Sequence, residues 1–177
     1  MAVKPRLWTR GFILDTLVNF LIYIIYYMLV VIIASEAISS LNATVSEAGL
    51  AAGIFVLGTL AARLAAGRSV EIYGRKKMLY GGILFYLVTT CMYFAVDSLP
   101  LMYGVRFLNG IGYGIASTAT STIVSAMIPE ERRGEGINYY ALSMSLAAAI
   151  GPFLGMMMQQ FFSFRIIIMF CVAVVLA

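Results

Sequence analysis

Hydrophobic residues in this chain fall in long blocks separated by short polar stretches, with no period-two alternation inside the blocks. Six blocks stand out: Phe12–Ala34, Val45–Ala66, Met78–Val96, Leu101–Ile128, Ile137–Phe161 and Ile166–Ala177. A helix needs ~20 apolar residues to cross a ~30 Å hydrocarbon core, and the first five blocks have about that length. In lipid every backbone N–H and C=O needs an internal partner, so a spanning segment is a helix or a strand of a closed barrel. Barrel strands alternate over ~10 residues, and these blocks do not. The pattern predicts an all-α membrane protein, with residues 1–177 forming one transmembrane domain. The sixth block is shorter. At ~1.5 Å per residue even 161–177 reaches only ~25 Å, so the sequence is expected to stop inside a truncated sixth span.

Composition strengthens this reading. Of 177 residues, 62% are hydrophobic and 11% are charged, too few charges to clothe a soluble domain. The basic residues also have a pattern. Lys4, Arg6 and Arg10 precede the first block, Arg68, Arg75, Lys76 and Lys77 follow the second, and Arg132 and Arg133 follow the fourth. The first and third connections are assigned Glu36, Glu47 and Asp97 and no basic residue, and the fifth holds only Arg165. Alternate connections are thus basic, which predicts a cytoplasmic N-terminus in an inner (plasma) membrane. The net charge of +4 is then a topology signal rather than a nucleic-acid footprint. The stretch after Arg10 is too long for the apolar core of a cleavable signal and has no small-residue cleavage site.

The chain has no histidine, the commonest metal ligand and general base. It has no Gly-x4-Gly-Lys-Ser/Thr loop for ATP. Cys91 and Cys171 both sit inside apolar blocks and are expected to be buried free thiols. No metal, no cofactor and no enzymatic activity are expected.

Polar residues inside the blocks carry the chemistry. In the first block Asp15, Asn19, Tyr23 and Tyr26 share one helical face. With Glu47 assigned to the first connection, Asp15 is read as the only acid within a span and so the candidate proton-carrying carboxylate, although it lies only about one turn inside the cytoplasmic edge. In the fourth block Arg106, Gly110, Tyr113, Ser117 and Ser121 share a face, with Asn109 beside them. An intramembrane arginine is costly and marks a functional site by default, while near a span end it can also snorkel to the headgroups. A polar stripe on a membrane helix points to a water-filled cavity or to a helix contact. Arg106 enters from the side opposite Asp15, so no direct ion pair between them is expected.

Three motifs carry a family resemblance. Gly67, Glu71, Gly74, Arg75 and Lys76, in Arg63-Leu-Ala-Ala-Gly67-Arg68-Ser-Val-Glu71-Ile-Tyr-Gly74-Arg75-Lys76-Lys77, read alone as a basic loop with two turn glycines. Their spacing resembles Gly-x-Leu-x-Asp-Arg-x-Gly-Arg-Lys, the loop between helices two and three of the major facilitator superfamily. Glu71, Ser69 and Ile72 depart from that pattern. Arg106-Phe-Leu-Asn109-Gly110-Ile-Gly112-Tyr113-Gly114 is similar to the superfamily's fourth-helix motif. Ala147, Gly151, Pro152 and Gly155 resemble the Gly-Pro-x-x-Gly antiporter signature of its exporters. They also form a small-residue face for close helix contact, and Pro152 is expected to kink its helix.

The resemblance implies a six-helix amino-terminal half of a major facilitator fold, closest in look to drug or small-metabolite (opine-type) proton antiporters. It implies proton-coupled export by alternating access, with Arg106 and Asp15 in coupling, Asn19, Tyr23, Asn109 and Tyr113 along the cavity, and residues 67–76 as a conformational latch. The implied partners are the bilayer, a small-molecule substrate, protons, and a missing carboxy-terminal half or a second copy. Rival readings stay open: a non-transporting half acting in folding, assembly or regulation, a half-size transporter working as a dimer, or an importer.

Overall fold

The structure is a computed structural model that describes residues 5–176, apart from the side chains of Arg68 and Glu71. Six α-helices follow one another: α1 (Arg10–Leu41), α2 (Val45–Tyr73), α3 (Arg75–Cys91), α4 (Leu99–Met127), α5 (Arg133–Phe161) and α6 (Phe164–Leu176). Short 3₁₀ turns at Met92–Ala95 and Glu130–Arg132 follow α3 and precede α5.

Local chemistry sets the ends. Thr9, in extended conformation, accepts a hydrogen bond from the Phe12 N–H and starts α1 (3.2 Å). Asn42 takes the left-handed conformation (φ 53°) that ends it, and the Ala43 N–H reaches back to the Ala37 carbonyl (2.9 Å). Three residues later α2 opens with a capping box. The Glu47 N–H donates to Thr44 Oγ1 (3.3 Å) and the Thr44 N–H to Glu47 Oε2 (2.8 Å). Gly74, at φ +87°, makes the sharp passage from α2 to α3, a conformation that costs glycine nothing. Pro100 sits in the first turn of α4, where its missing N–H has no intrahelical role.

The helices outrun the apolar blocks. Glu36 belongs to α1 and Glu47 to α2, so neither lies in the connection assigned to it, which shrinks to Asn42–Thr44. Likewise α2 runs helically through Gly67 to Tyr73, so only Gly74 is a turn glycine. Helical propensity and capping decide where a helix stops, whereas hydropathy marks only where it meets lipid. Cys91 is exposed on the bundle's outside and Cys171 is buried. An apolar block hides a residue from water, but the bundle leaves its outer face to the lipid.

Packing has a clear centre. α4 is clasped between α2 and α3, α1 lies along α5, α1 and α4 meet in the middle, and α6 closes against α3 and α1. Among the described residues, α1, α2, α5 and α3 with its 3₁₀ turn are long and apolar enough to cross a membrane. α4 has the length, yet its glycines, serines and threonines lower its hydropathy. The reason is its position, since a helix surrounded by other helices needs little lipid-facing apolar surface.

Close approach is built on glycine, and it reveals an internal repeat. A side-chain carbon on Gly58 of α2 would run into the carbonyl of Phe107 and the N–H of Ile111, one turn apart on α4. One on Gly151 of α5 would meet the carbonyl of Ile24 and the N–H of Met28, one turn apart on α1. The α2–α4 and α5–α1 contacts are therefore the same contact made twice. Successive helices cross in alternate directions, so α1 and α4 run oppositely and the two triplets form an inverted repeat.

Candidate functional site

The α1 face places its polar groups at the centre of the bundle. Asp15 is 6% exposed and Asn19 is fully buried. Asn19 Oδ1 accepts from Thr120 Oγ1 of α4 (3.3 Å), and its Nδ2 donates to Ser143 Oγ of α5 (3.4 Å). Tyr140 Oη donates to Thr120 Oγ1 (3.0 Å), and Ser143 Oγ donates to the Tyr140 carbonyl (2.7 Å). Three helices are thus joined by one polar network. One turn earlier on α1, Asp15 Oδ2 and Thr16 Oγ1 are buried with no hydrogen-bond partner among the described residues. An uncompensated buried polar atom is costly, and each calls for an explanation; Tyr86 Oη and Asn109 Oδ1, at the α3–α4 contact, are two more among the described residues. Asp15 does not face open water, because α1 starts at Arg10 and the Leu7–Phe12 segment packs over that end against Val124, Ile128 and Tyr140.

Arg106 is fully buried and fully used. Its Nε donates to the Ala51 carbonyl (3.2 Å), its Nη2 to the Ala52 carbonyl (3.3 Å) and its Nη1 to Tyr93 Oη (3.5 Å). Its guanidinium also lies 4.5 Å from the centre of the Phe55 ring. It neither snorkels to a headgroup nor pairs with Asp15; Arg132–Glu135 is the ion pair found among the described residues. Asn109 is turned toward α3, donating to Thr89 Oγ1 and Thr90 Oγ1 (both 3.1 Å). The stripe on α4 is therefore largely a helix contact, because the clasp of α2 and α3 leaves that face no water.

Tyr113 is different. It is buried among Tyr23, Tyr26 and Phe55, with ring centres 5.4, 5.0 and 5.2 Å away. Tyr26 stacks on Phe55 at 4.9 Å and 21°. These rings, with Tyr27, Val56, Thr59 and Arg63, surround an open pocket of about 250 Å³. Of the sequence-predicted cavity residues, Tyr23 and Tyr113 line it, whereas Asn19, Asn109 and Arg106 do not. Sequence reading passed over Arg63, Thr59, Thr120, Tyr140 and Ser143. The signals were present: Phe55, Thr59 and Arg63 are four apart on α2, and Ser143 continues the four-residue spacing of Ala147, Gly151 and Gly155.

That small-residue face of α5 lies directly on α1. Ala147 is fully buried, and Gly155 faces the Met28 carbonyl and Ile32. The helix runs unbroken through Pro152. At one end of the bundle, Gly67, Tyr73, Gly74, Arg75, Lys76, Lys77 and Thr122 border a wide cleft of about 710 Å³. Arg75 and Lys76 are exposed there, and the Glu71 side chain lies outside the described residues. The same end holds the α4–α5 connection, where Arg132 Nη1 donates to the Pro5 carbonyl (3.1 Å).

Comparison with known proteins agrees with this architecture. Residues 16–177 match the family model of the Major Facilitator Superfamily. An uncharacterised MFS-type transporter of Methanocaldococcus jannaschii is 30% identical, over 75% of this chain and 34% of its own length. Multidrug resistance protein 3 of Bacillus subtilis is 25% identical, over 57% of this chain and 20% of its length. A hexose transporter of Saccharomyces cerevisiae is 33% identical, over 58% of this chain and 19% of its length. The chain spans about a third or less of the length of these curated relatives. An inverted six-helix arrangement, a polar centre walled by apolar helices and a family match over nearly all of its length make this chain a multi-pass membrane protein of the Major Facilitator Superfamily.

Proposed function

We propose that this chain is half of a proton-coupled exporter of small metabolites or drugs, working by alternating access. One observation carries the reading: Asp15 is buried without a partner one turn from a three-helix polar network, and two turns from an open aromatic pocket. A carboxylate there has no cation or donor to compensate its charge among the described residues. It is suited to exchange a proton whenever a conformational change alters its surroundings. Asn19, Thr120, Tyr140 and Ser143 link that site to α4 and α5, so a change at Asp15 is felt by three helices at once. Arg106 contributes to coupling by holding α2, and with it the Phe55 wall of the pocket, rather than by touching substrate.

Export is favoured over import by the Gly151-Pro152-x-x-Gly155 face and by relatives named for multidrug resistance. The open side of the pocket is completed by a facing half, whether further chain or a second copy. The basic end, with Arg75, Lys76 and Arg132, faces the cytoplasm of an inner membrane, and the segment from Gly67 to Lys76, which turns at Gly74, acts there as the latch. The test is efflux from proteoliposomes under an imposed pH gradient. Flux should require the gradient and disappear in Asp15→Asn. Equal flux from wild type and Asp15→Asn would remove Asp15 from coupling, and flux indifferent to the gradient would remove proton coupling itself.

A further inference from the structure

We propose that the pocket between α1, α2 and α4 selects a small organic anion with a planar ring, Arg63 taking the anionic group and the tyrosines flanking the ring. The inference deepens the transporter reading and rests on it. Arg63 and Arg106 both lie well inside helices of this bundle, on α2 and α4, and they are treated in opposite ways. Arg106 spends its donors on two backbone carbonyls and a tyrosine. Arg63 is exposed to the pocket side and forms no hydrogen bond or ion pair among the described residues. A cation held in a membrane helix without a protein partner is a functional candidate by default, and here the space in front of it is the pocket.

The pocket's own chemistry then narrows the ligand. Among the described residues Arg63 is the one charged residue lining it, and no carboxylate does. Asp15 lies two turns, roughly 12 Å, along α1 from Tyr23. An organic cation, which tyrosine rings alone could hold, would meet an uncompensated guanidinium. A carboxylate would meet a planar fork of donors that matches it in two parallel hydrogen bonds. The rings supply the rest. Tyr26 is already stacked on Phe55, while Tyr23 and Tyr27 remain half-buried at the pocket wall, free to cover a flat face. The recess of about 250 Å³ gives this half of the site room to seat one small ring system.

Three probes with the same ring test this. Binding of 2-naphthoate, 2-naphthamide and (2-naphthylmethyl)trimethylammonium to the chain in lipid nanodiscs would be measured by calorimetry. 2-Naphthoate is expected to bind at least tenfold more tightly than either of the others. Arg63→Gln should erase that preference and Arg63→Lys should keep part of it, with helicity unchanged by circular dichroism. Equal affinity for acid and amide, preference for the ammonium probe, or no binding to the folded chain would overturn the proposal. Failure of the export reading looks different: 2-naphthoate would bind, yet no pH-driven flux would follow. Gradient-driven flux of the ammonium probe without 2-naphthoate binding would instead keep export and remove the anion site.

Discussion

The two halves of the internal repeat use one packing device and then diverge in what they bury. On one side Gly58 seats α2 on α4, and on the other Gly151 seats α5 on α1. At the first contact the polar group buried is Arg106, and each nitrogen of its guanidinium donates a hydrogen bond. Beside the second lies Asp15, with a carboxylate oxygen that nothing described engages. A satisfied buried charge fixes a geometry. An unsatisfied one is a liability unless it changes state during function. The comparison assigns the α2–α4 side to scaffold and the α1–α5 side to switching.

The contrast can be broken in several places. The largest effect is expected at the scaffold contact. Gly110→Leu would drive a side chain into the Phe55 backbone, costing about 3 kcal/mol or more, and should leave no monodisperse protein in size-exclusion chromatography. Arg106→Met comes next: it removes the hydrogen bonds to α2 and should cost about 2–3 kcal/mol, read as a clear drop in melting temperature. If Arg106→Met melts like the wild type, the arginine is not scaffold. Gly151→Leu meets Tyr27 Cβ and the Ile24 carbonyl and should cost about 1–3 kcal/mol while also slowing transport. Asp15→Asn should hardly move the melting temperature but lower gradient-driven efflux at least tenfold. A large loss of stability there would reverse the division between scaffold and switch. Thr120→Val is the mildest stability test. It takes away hydrogen bonds worth about 0.6 kcal/mol each in membrane proteins, so melting should barely change while coupling weakens.

Much of the fold was legible in the chain because the bilayer enforces a simple rule. Spanning helices must be apolar for ~20 residues, and five of the six blocks have about that length, with the sixth shorter, so they can be counted by eye. Their ends were less legible, since Ser35–Leu41 and Gly67–Tyr73 are held helical by caps at Asn42 and Gly74 rather than by lipid. The candidate site was legible in part. Helical spacing put Asp15, Asn19 and Tyr23 on one face, and that face does point to the centre of the bundle. The same spacing put Arg106, Asn109 and Tyr113 close together on α4, and there it could not separate three destinations.

By itself, then, the sequence determined the helical class, the number of blocks, the small-residue faces and the polar residues that cannot meet lipid. It did so because hydropathy and one-dimensional spacing are properties of a single helix. Which neighbour each face meets was decided by the tertiary structure alone. Asn109 is turned to α3, Arg106 to the carbonyls of α2, and Tyr113 to an open pocket shared with Arg63. A helix of 3.6 residues per turn sends adjacent positions to different partners. Only the placement of α1, α2 and α3 around α4 tells a buried clamp from a wet pocket wall.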